Sequence, residues 1–180
     1  CVSLPLLYIA IGRRLGYPLY LAEAMEHFYV IWDEPGKERM NIEATCHGFI
    51  SYDDEHYKTW PVPIPPKLLQ GNQFLRPLTR REELASIISS RGDVWRDNRN
   101  FGAANYEYRA AARMCPHDPN HQGHWAVGST LMLHYEGECD YGLDGDEPPT
   151  HVIEKGERRP LYGDELWSAQ QAHRNMVRLK

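Results

Sequence analysis

The chain lacks paired cysteines. Its four thiols stand at positions 1, 46, 115 and 139, with no Cys-x-x-Cys among them. That spacing offers no paired-thiol zinc site and makes a poor disulfide framework for 180 residues, so a reducing, cytoplasmic setting is the expectation. Long apolar runs are missing too. No stretch approaches the roughly 20 residues that a membrane span needs, and no signal peptide is visible. No basic cluster occurs, and the net charge is −5, which argues against nucleic acid as a partner. Neither a glycine-rich phosphate loop nor a Gly-x-Ser-x-Gly elbow is present, and no cofactor is expected. An initiator Met is also absent: the chain opens on Cys1 inside patterned sequence, from which a missing upstream segment is expected.

What is present is globular. A hydrophobic fraction of 42% with 25% charged residues suits one ordinary domain, or a small domain with an appendage. Residues 1–60 hold 5 basic and 9 acidic groups, whereas 61–140 hold 9 of each, so the acidic excess lies mainly in the first third.

Leu4, Leu7, Tyr8, Ile11 and Leu15 recur at helical spacing, with Pro5 confined to the first turn and Gly16 and Pro18 closing the helix. Cys1 then falls at or next to the N-cap. Leu19 to Ala22 reads as a short strand, and His27 to Trp32 as a second. Asp33 to Gly36 supplies a turn, and Arg39 to Thr45 the return strand. Strand alternation sets Asn41, Glu43 and Thr45 on one face. The fold class is α+β, one helix on an antiparallel sheet, occupying residues 1–60. Asp53, Asp54 and Glu55 read as the cap of a helix leading to Trp60. Five prolines between Pro61 and Pro77 mark 61–78 as a stiff linker. Thr79 caps the first of two helices that separate around 97–101. Another helix runs from about Gln122 to Tyr135, so 79–136 form a helical segment. Residues 137–180 are an acidic loop and a C-terminal helix from about Asp164 to Arg178.

A thiol at a helix start, an imidazole on one strand and a carboxylate on the next form a layout for thiol acyl transfer. The helix N-terminus favours thiolate, the imidazole serves as base, and a third polar group fixes its tautomer. Taken alone, a cysteine heading an apolar helix is a small buried hydrophobe, and a single strand histidine is structural. Their order is what points to chemistry.

The run Cys1-Val2-Ser3-Leu4-Pro5-Leu6-Leu7-Tyr8, followed by Arg13-Arg14-Leu15-Gly16-Tyr17-Pro18, resembles the nucleophile helix of the transglutaminase-like superfamily, of the bacterial type. His27 matches the family's strand-opening histidine. Glu43-Ala44-Thr45, sixteen residues past His27, stands where the family has an Asp-Pro-Thr-like signature. The resemblance covers about Cys1 to Trp60. It implies a papain-like core, with Cys1 as nucleophile, His27 as base and an acid as third member. Glu replaces the usual Asp, and Asn41, two residues back on the same face, is an alternative third member. The implied activity is acyl transfer or amide hydrolysis on a protein or peptide substrate. The alternatives are an inactive relative acting as a scaffold, and an N-terminal nucleophile if Cys1 is a mature terminus.

Gly92, Trp95, Ala104, Tyr108, Ala111 and Pro116, at offsets 0, 3, 12, 16, 19 and 24, resemble the packing positions of a tetratricopeptide repeat. This implies an appended α-helical hairpin in which Trp95 and Tyr108 fill the groove. It either buttresses the fold or binds a protein partner. Cys115, His117, His121 and His124 have metal-like content, but Asp118-Pro119-Asn120 reads as a loop that separates them, and no metal site is expected.

Overall fold

The computed structural model describes residues 2–47, 50–70 and 73–179. The fold is mixed α+β with two small antiparallel three-stranded sheets, and the chain divides after Glu83 into two units.

The first unit opens with α1 (Ser3–Arg14). Gly16, at φ +85°, closes it in a Schellman turn. The Tyr17 N–H donates to the Gly12 carbonyl at 2.9 Å, and the Gly16 N–H to that of Arg13 at 3.1 Å. The helix buries Pro5, Ile9 and Gly12. A Cβ on Gly12 would lie 2.3 Å from the Leu19 side chain, so only glycine lets α1 settle this close to the next strand. Leu4, Leu7, Ile11 and Leu15, whose spacing announces the helix, instead lie on its outer side at 46, 52, 50 and 65% exposure.

Three strands follow: β1 (Leu19–Ala24), β2 (His27–Trp32) and β3 (Met40–Ile42), in that order, all antiparallel. A two-residue turn, Met25-Glu26, joins β1 to β2 and makes His27 the first residue of its strand, paired with Ala24. The return strand is shorter than the expected Arg39 to Thr45. It stops at Ile42, after which Glu43 makes one isolated bridge to Ile50.

Period-two alternation splits the sheet into two packed faces. Leu19, Leu21, Val30 and Ile42 meet Ile9 of α1 and Leu78 on one side. Ala22, Ala24, Tyr29 and Ile31 meet Tyr57, Ile64 and Phe74 on the other. Tyr57 belongs to α2 (Asp54–Thr59), capped by the Asp53 carboxylate on the His56 N–H, as the acidic trio predicts. A short helix, α3 (Pro66–Gln70), comes next.

Residues 61–78 are therefore no linker. Ile64, Phe74 and Leu78 are buried, and the Leu75 and Leu78 N–H groups donate to the Glu23 and Leu21 carbonyls along the outer edge of β1. Proline removes donors only at its own positions; the intervening apolar residues still pack. The unit boundary accordingly falls after Glu83, within α4 (Arg80–Asp97), rather than at Trp60. Thr79 and Glu82 cap α4 reciprocally.

The second unit continues along α4 into α5 (Phe101–Met114) and α6 (Pro119–Tyr135). Tyr108 of α5 fills the groove between α4 and α6. A Cβ on Gly92 or on Gly128 would come within 2.6 Å of its ring. Trp95, expected to share that groove, is 39% exposed instead. Residues 118–120 form no loop: Asp118 caps α6 and Pro119 sits in its first turn. Then come β4 (Cys139–Asp140), β5 (His151–Glu154), β6 (Glu157–Pro160) and α7 (Gly163–Arg178).

The second sheet replaces part of the acidic loop expected after residue 137. Its strands are two to four residues long, and β6 is exposed throughout, so no alternating pattern marks them. Lys155 and Gly156, both at positive φ, close its β5–β6 hairpin. Val152 of β5, with Leu143 from the β4–β5 connection and Leu161 just after β6, joins Leu131 of α6 and Ala169, Ala172 and Met176 of α7 in one core. Among the described residues no helix is long and apolar enough to cross a membrane.

Candidate functional site

His27 and Glu43 meet in the first unit. The imidazole Nε2 lies 2.8 Å from Glu43 Oε2, with side-chain exposures of 5% and 0%. The sheet register explains the pairing. Val30 faces Ile42, so continuing the ladder by one residue sets Glu43 beside Tyr29 and diagonal to His27 on the same face.

The carboxylate is held from every side. Oε2 also accepts from the Tyr57 hydroxyl at 3.1 Å. Oε1 accepts from the Thr45 N–H at 2.9 Å and from its hydroxyl at 2.5 Å. Four bonds use the whole accepting capacity of the group and fix its plane. Burial works to raise the Glu43 carboxyl, but the two Thr45 bonds, and then His27, outweigh it and hold it below its ordinary value. Burial, reinforced by the Glu43 charge, pushes the Tyr57 phenol up, so Tyr57 stays a donor.

Rings enclose the pair. Tyr57 stacks on Tyr29 at 4.0 Å between centroids. Trp60 presents its ring edge-on to His27 at 4.7 Å. An ionised carboxylate can only accept, so Nε2 donates in this bond and Nδ1 is the ring position turned away from Glu43.

Asn41 does not share this role. Its amide donates to the Tyr52 carbonyl at 3.0 Å and to Asp54 at 2.8 Å, and so pins the segment entering α2. Of the two candidates for third member, the structure brings Glu43 to His27. Tyr57, Thr45 and Trp60 are the neighbours that sequence reasoning missed. Tyr57 and Trp60 follow the acidic cap at helical spacing, which was a visible signal; Thr45 was read as a strand position and as the last residue of Glu43-Ala44-Thr45, with no bond to Glu43 expected of it.

Cys1 lies outside the described residues. The helix it precedes covers the opposite sheet face from His27. Gly12 packs on Leu19 and Ile9 on Leu21 and Val30, so α1 runs antiparallel to β1. Its N-terminus thus heads for the end of the sheet where β1 turns into β2, the end that His27 occupies.

In the second unit two histidines of the metal-like set, His121 and His124, have separate partners. His124 Nδ1 contacts the Ser89 hydroxyl at 2.7 Å, and His121 Nε2 lies 4.0 Å from Asp118. Among the described residues no group of three or more His, Cys, Asp or Glu side chains is placed to hold a metal ion.

Comparisons of the chain with family models, with curated proteins and with solved structures gave no match.

Proposed function

We propose that this chain carries out thiol-dependent acyl transfer or amide hydrolysis on a protein or peptide substrate, from a papain-like core of transglutaminase type. Cys1 is the nucleophile, His27 the base and Glu43 the orienting acid. The observation that carries the reading is the buried His27–Glu43 pair, with its four-bonded carboxylate.

The steps balance on these groups. His27 Nδ1 takes the Cys1 proton, the sulfur forms a bond to the acyl carbon, and the carbonyl electrons move onto oxygen. On collapse the C–N bond breaks and the leaving amine takes the proton from the imidazolium. Water or a second amine, deprotonated by His27, then releases the acyl group and restores the thiol. Glu43 stabilises the imidazolium and takes no proton itself.

Iodoacetamide labelling across pH tests this reading. Cys1 should react fastest, and well below the pH of about 8.5 at which a free thiol ionises. If Cys1 reacts no faster than Cys46 or Cys139, and His27→Ala changes nothing, the enzyme reading is wrong.

A second reading is an inactive scaffold that recruits a protein partner through a tetratricopeptide-like hairpin. It draws on Trp95 and Tyr106, which are 39% and 72% exposed on α4 and α5. Loss of a partner in Trp95→Ala with Tyr106→Ala, together with an unreactive Cys1, would favour it.

A further inference from the structure

Resting on the thiol reading of the first unit, we infer that Trp60 is a specificity-determining wall of the site, and that it selects acyl donors bearing an aromatic side chain next to the reacting carbonyl. Three rings spaced four residues apart form a strip leading to the base. Tyr52 stacks on His56 at 4.0 Å, His56 lies 5.2 Å from Trp60, and Trp60 meets His27 at 4.7 Å. Exposure changes sharply along this strip: His27 is 6% exposed and Trp60 38%. The indole is therefore the solvent-facing member of the rings packed on the imidazole. On the thiol reading the acyl carbon reacts beside His27, and the exposed ring surface packed on that imidazole is the Trp60 indole.

The charges nearby favour an uncharged ring over a cation. Cations also bind aromatic faces, but the three carboxylates at the start of α2 already have partners. Asp53 accepts from the His56 N–H, Asp54 holds Arg39 and Asn41, and Glu55 pairs with Lys58. What the strip offers an incoming group is ring surface. An aromatic pair of this kind corresponds to a preference of about tenfold over a donor with no side chain.

The test compares the chloromethyl ketones of N-acetyl-phenylalanine, N-acetyl-glycine and N-acetyl-arginine as alkylators of Cys1 in the full chain, followed by peptide mass. In each, the sulfur displaces chloride and forms the S–C bond, so only the recognition group differs. The phenylalanyl reagent should react about tenfold faster than the glycyl one. Trp60→Ala should erase that ratio and Trp60→Phe should keep most of it, each chloromethyl ketone rate being divided by the same variant's iodoacetamide rate so that any change in the thiol–imidazole pair itself cancels.

Equal rates for the phenylalanyl and glycyl reagents in the unaltered chain would overturn the inference. So would an arginyl preference, or a phenylalanyl preference that survives Trp60→Ala. An iodoacetamide rate at Cys1 no higher than at Cys46 removes the thiol reading itself, and the inference with it. That outcome is distinguishable because it does not depend on Trp60.

Discussion

Glu43 and His27 are joined at 2.8 Å across strands, one carboxylate oxygen facing one ring nitrogen, both shut away from solvent. Both oxygens of the carboxylate are engaged. Thr45, two residues on, grips the second oxygen through its N–H and hydroxyl. Tyr57 then closes the remaining position on the first. Four bonds in all hold the carboxylate.

Glu43→Gln should raise the pH at which Cys1 reaches half its maximal iodoacetamide rate, by about one unit. The amide keeps the size and one accepting oxygen but no longer supplies the negative charge that favours imidazolium. Glu43→Ala should do the same and also cost about 2 kcal/mol in urea unfolding, because the Tyr57 hydroxyl loses its buried acceptor. A pH profile unmoved in both variants would separate Glu43 from His27's chemistry.

The acid limb of stability should carry the same signature. Glu43 titrates lower in the folded chain than its ordinary value, so the unfolded chain binds its proton first as pH falls. The stability it contributes is complete above the ordinary carboxylate range of about 4 and is lost as pH drops through its lowered folded value. Urea midpoints from pH 6 down to pH 2 should therefore fall more steeply for the unaltered chain than for Glu43→Gln. Parallel curves would contradict the assignment.

Much of this was legible in the residues. β-branched and aromatic runs marked β2, alternation set Glu43 on a side-chain row, and the caps at Asp53 and Thr79 placed two helix starts. Two kinds of feature were not legible. Burial of a helix face depends on what arrives from elsewhere: α1 turns Ile9 and Gly12 inward because only a missing Cβ admits Leu19, whereas hydrophobicity alone points to Leu4, Leu7 and Ile11. Short strands such as β4 and β6 are set by a turn and a neighbour rather than by their own pattern. The choice between Asn41 and Glu43 was tertiary as well, since Asp54 and Tyr52 claim the Asn41 amide.

In the helical unit, Gly92→Ala and Gly128→Ala should each lower stability by about 1–3 kcal/mol, since the new methyl group drives into the Tyr108 ring from opposite sides. Tyr108→Leu should restore part of that loss when combined with either variant, though alone it forfeits the ring and its 2.7 Å bond to Asp93. Thermal unfolding of the single and double variants checks the coupling. Strict additivity would mean that the glycines matter for backbone freedom rather than for contact.

Arg13 and Glu83 provide the last test, because they join α1, β1 and the first turn of α4 (residues 80–83) at one point. The Arg13 guanidinium grips both Glu83 oxygens, at 2.9 and 2.5 Å, and its Nε donates to the Leu19 carbonyl at 2.7 Å. Glu83 Oε1 also accepts the Leu21 N–H at 3.0 Å. Side-chain exposures of 20% and 9% make this a mostly desolvated pair. Arg13→Met should therefore cost about 3 kcal/mol, since it leaves a buried carboxylate with little beyond the Leu21 N–H and the exposed Arg80, 3.6 Å away. Adding Glu83→Gln should recover about 1–2 kcal/mol, because the amide keeps an acceptor for Leu21 and removes the uncompensated charge. Urea unfolding of the two single variants and the double variant gives the coupling directly. A double variant as unstable as the sum of the singles would show that Glu83 is held by the backbone of β1 alone, and that Arg13 serves α1 through its bond to Leu19.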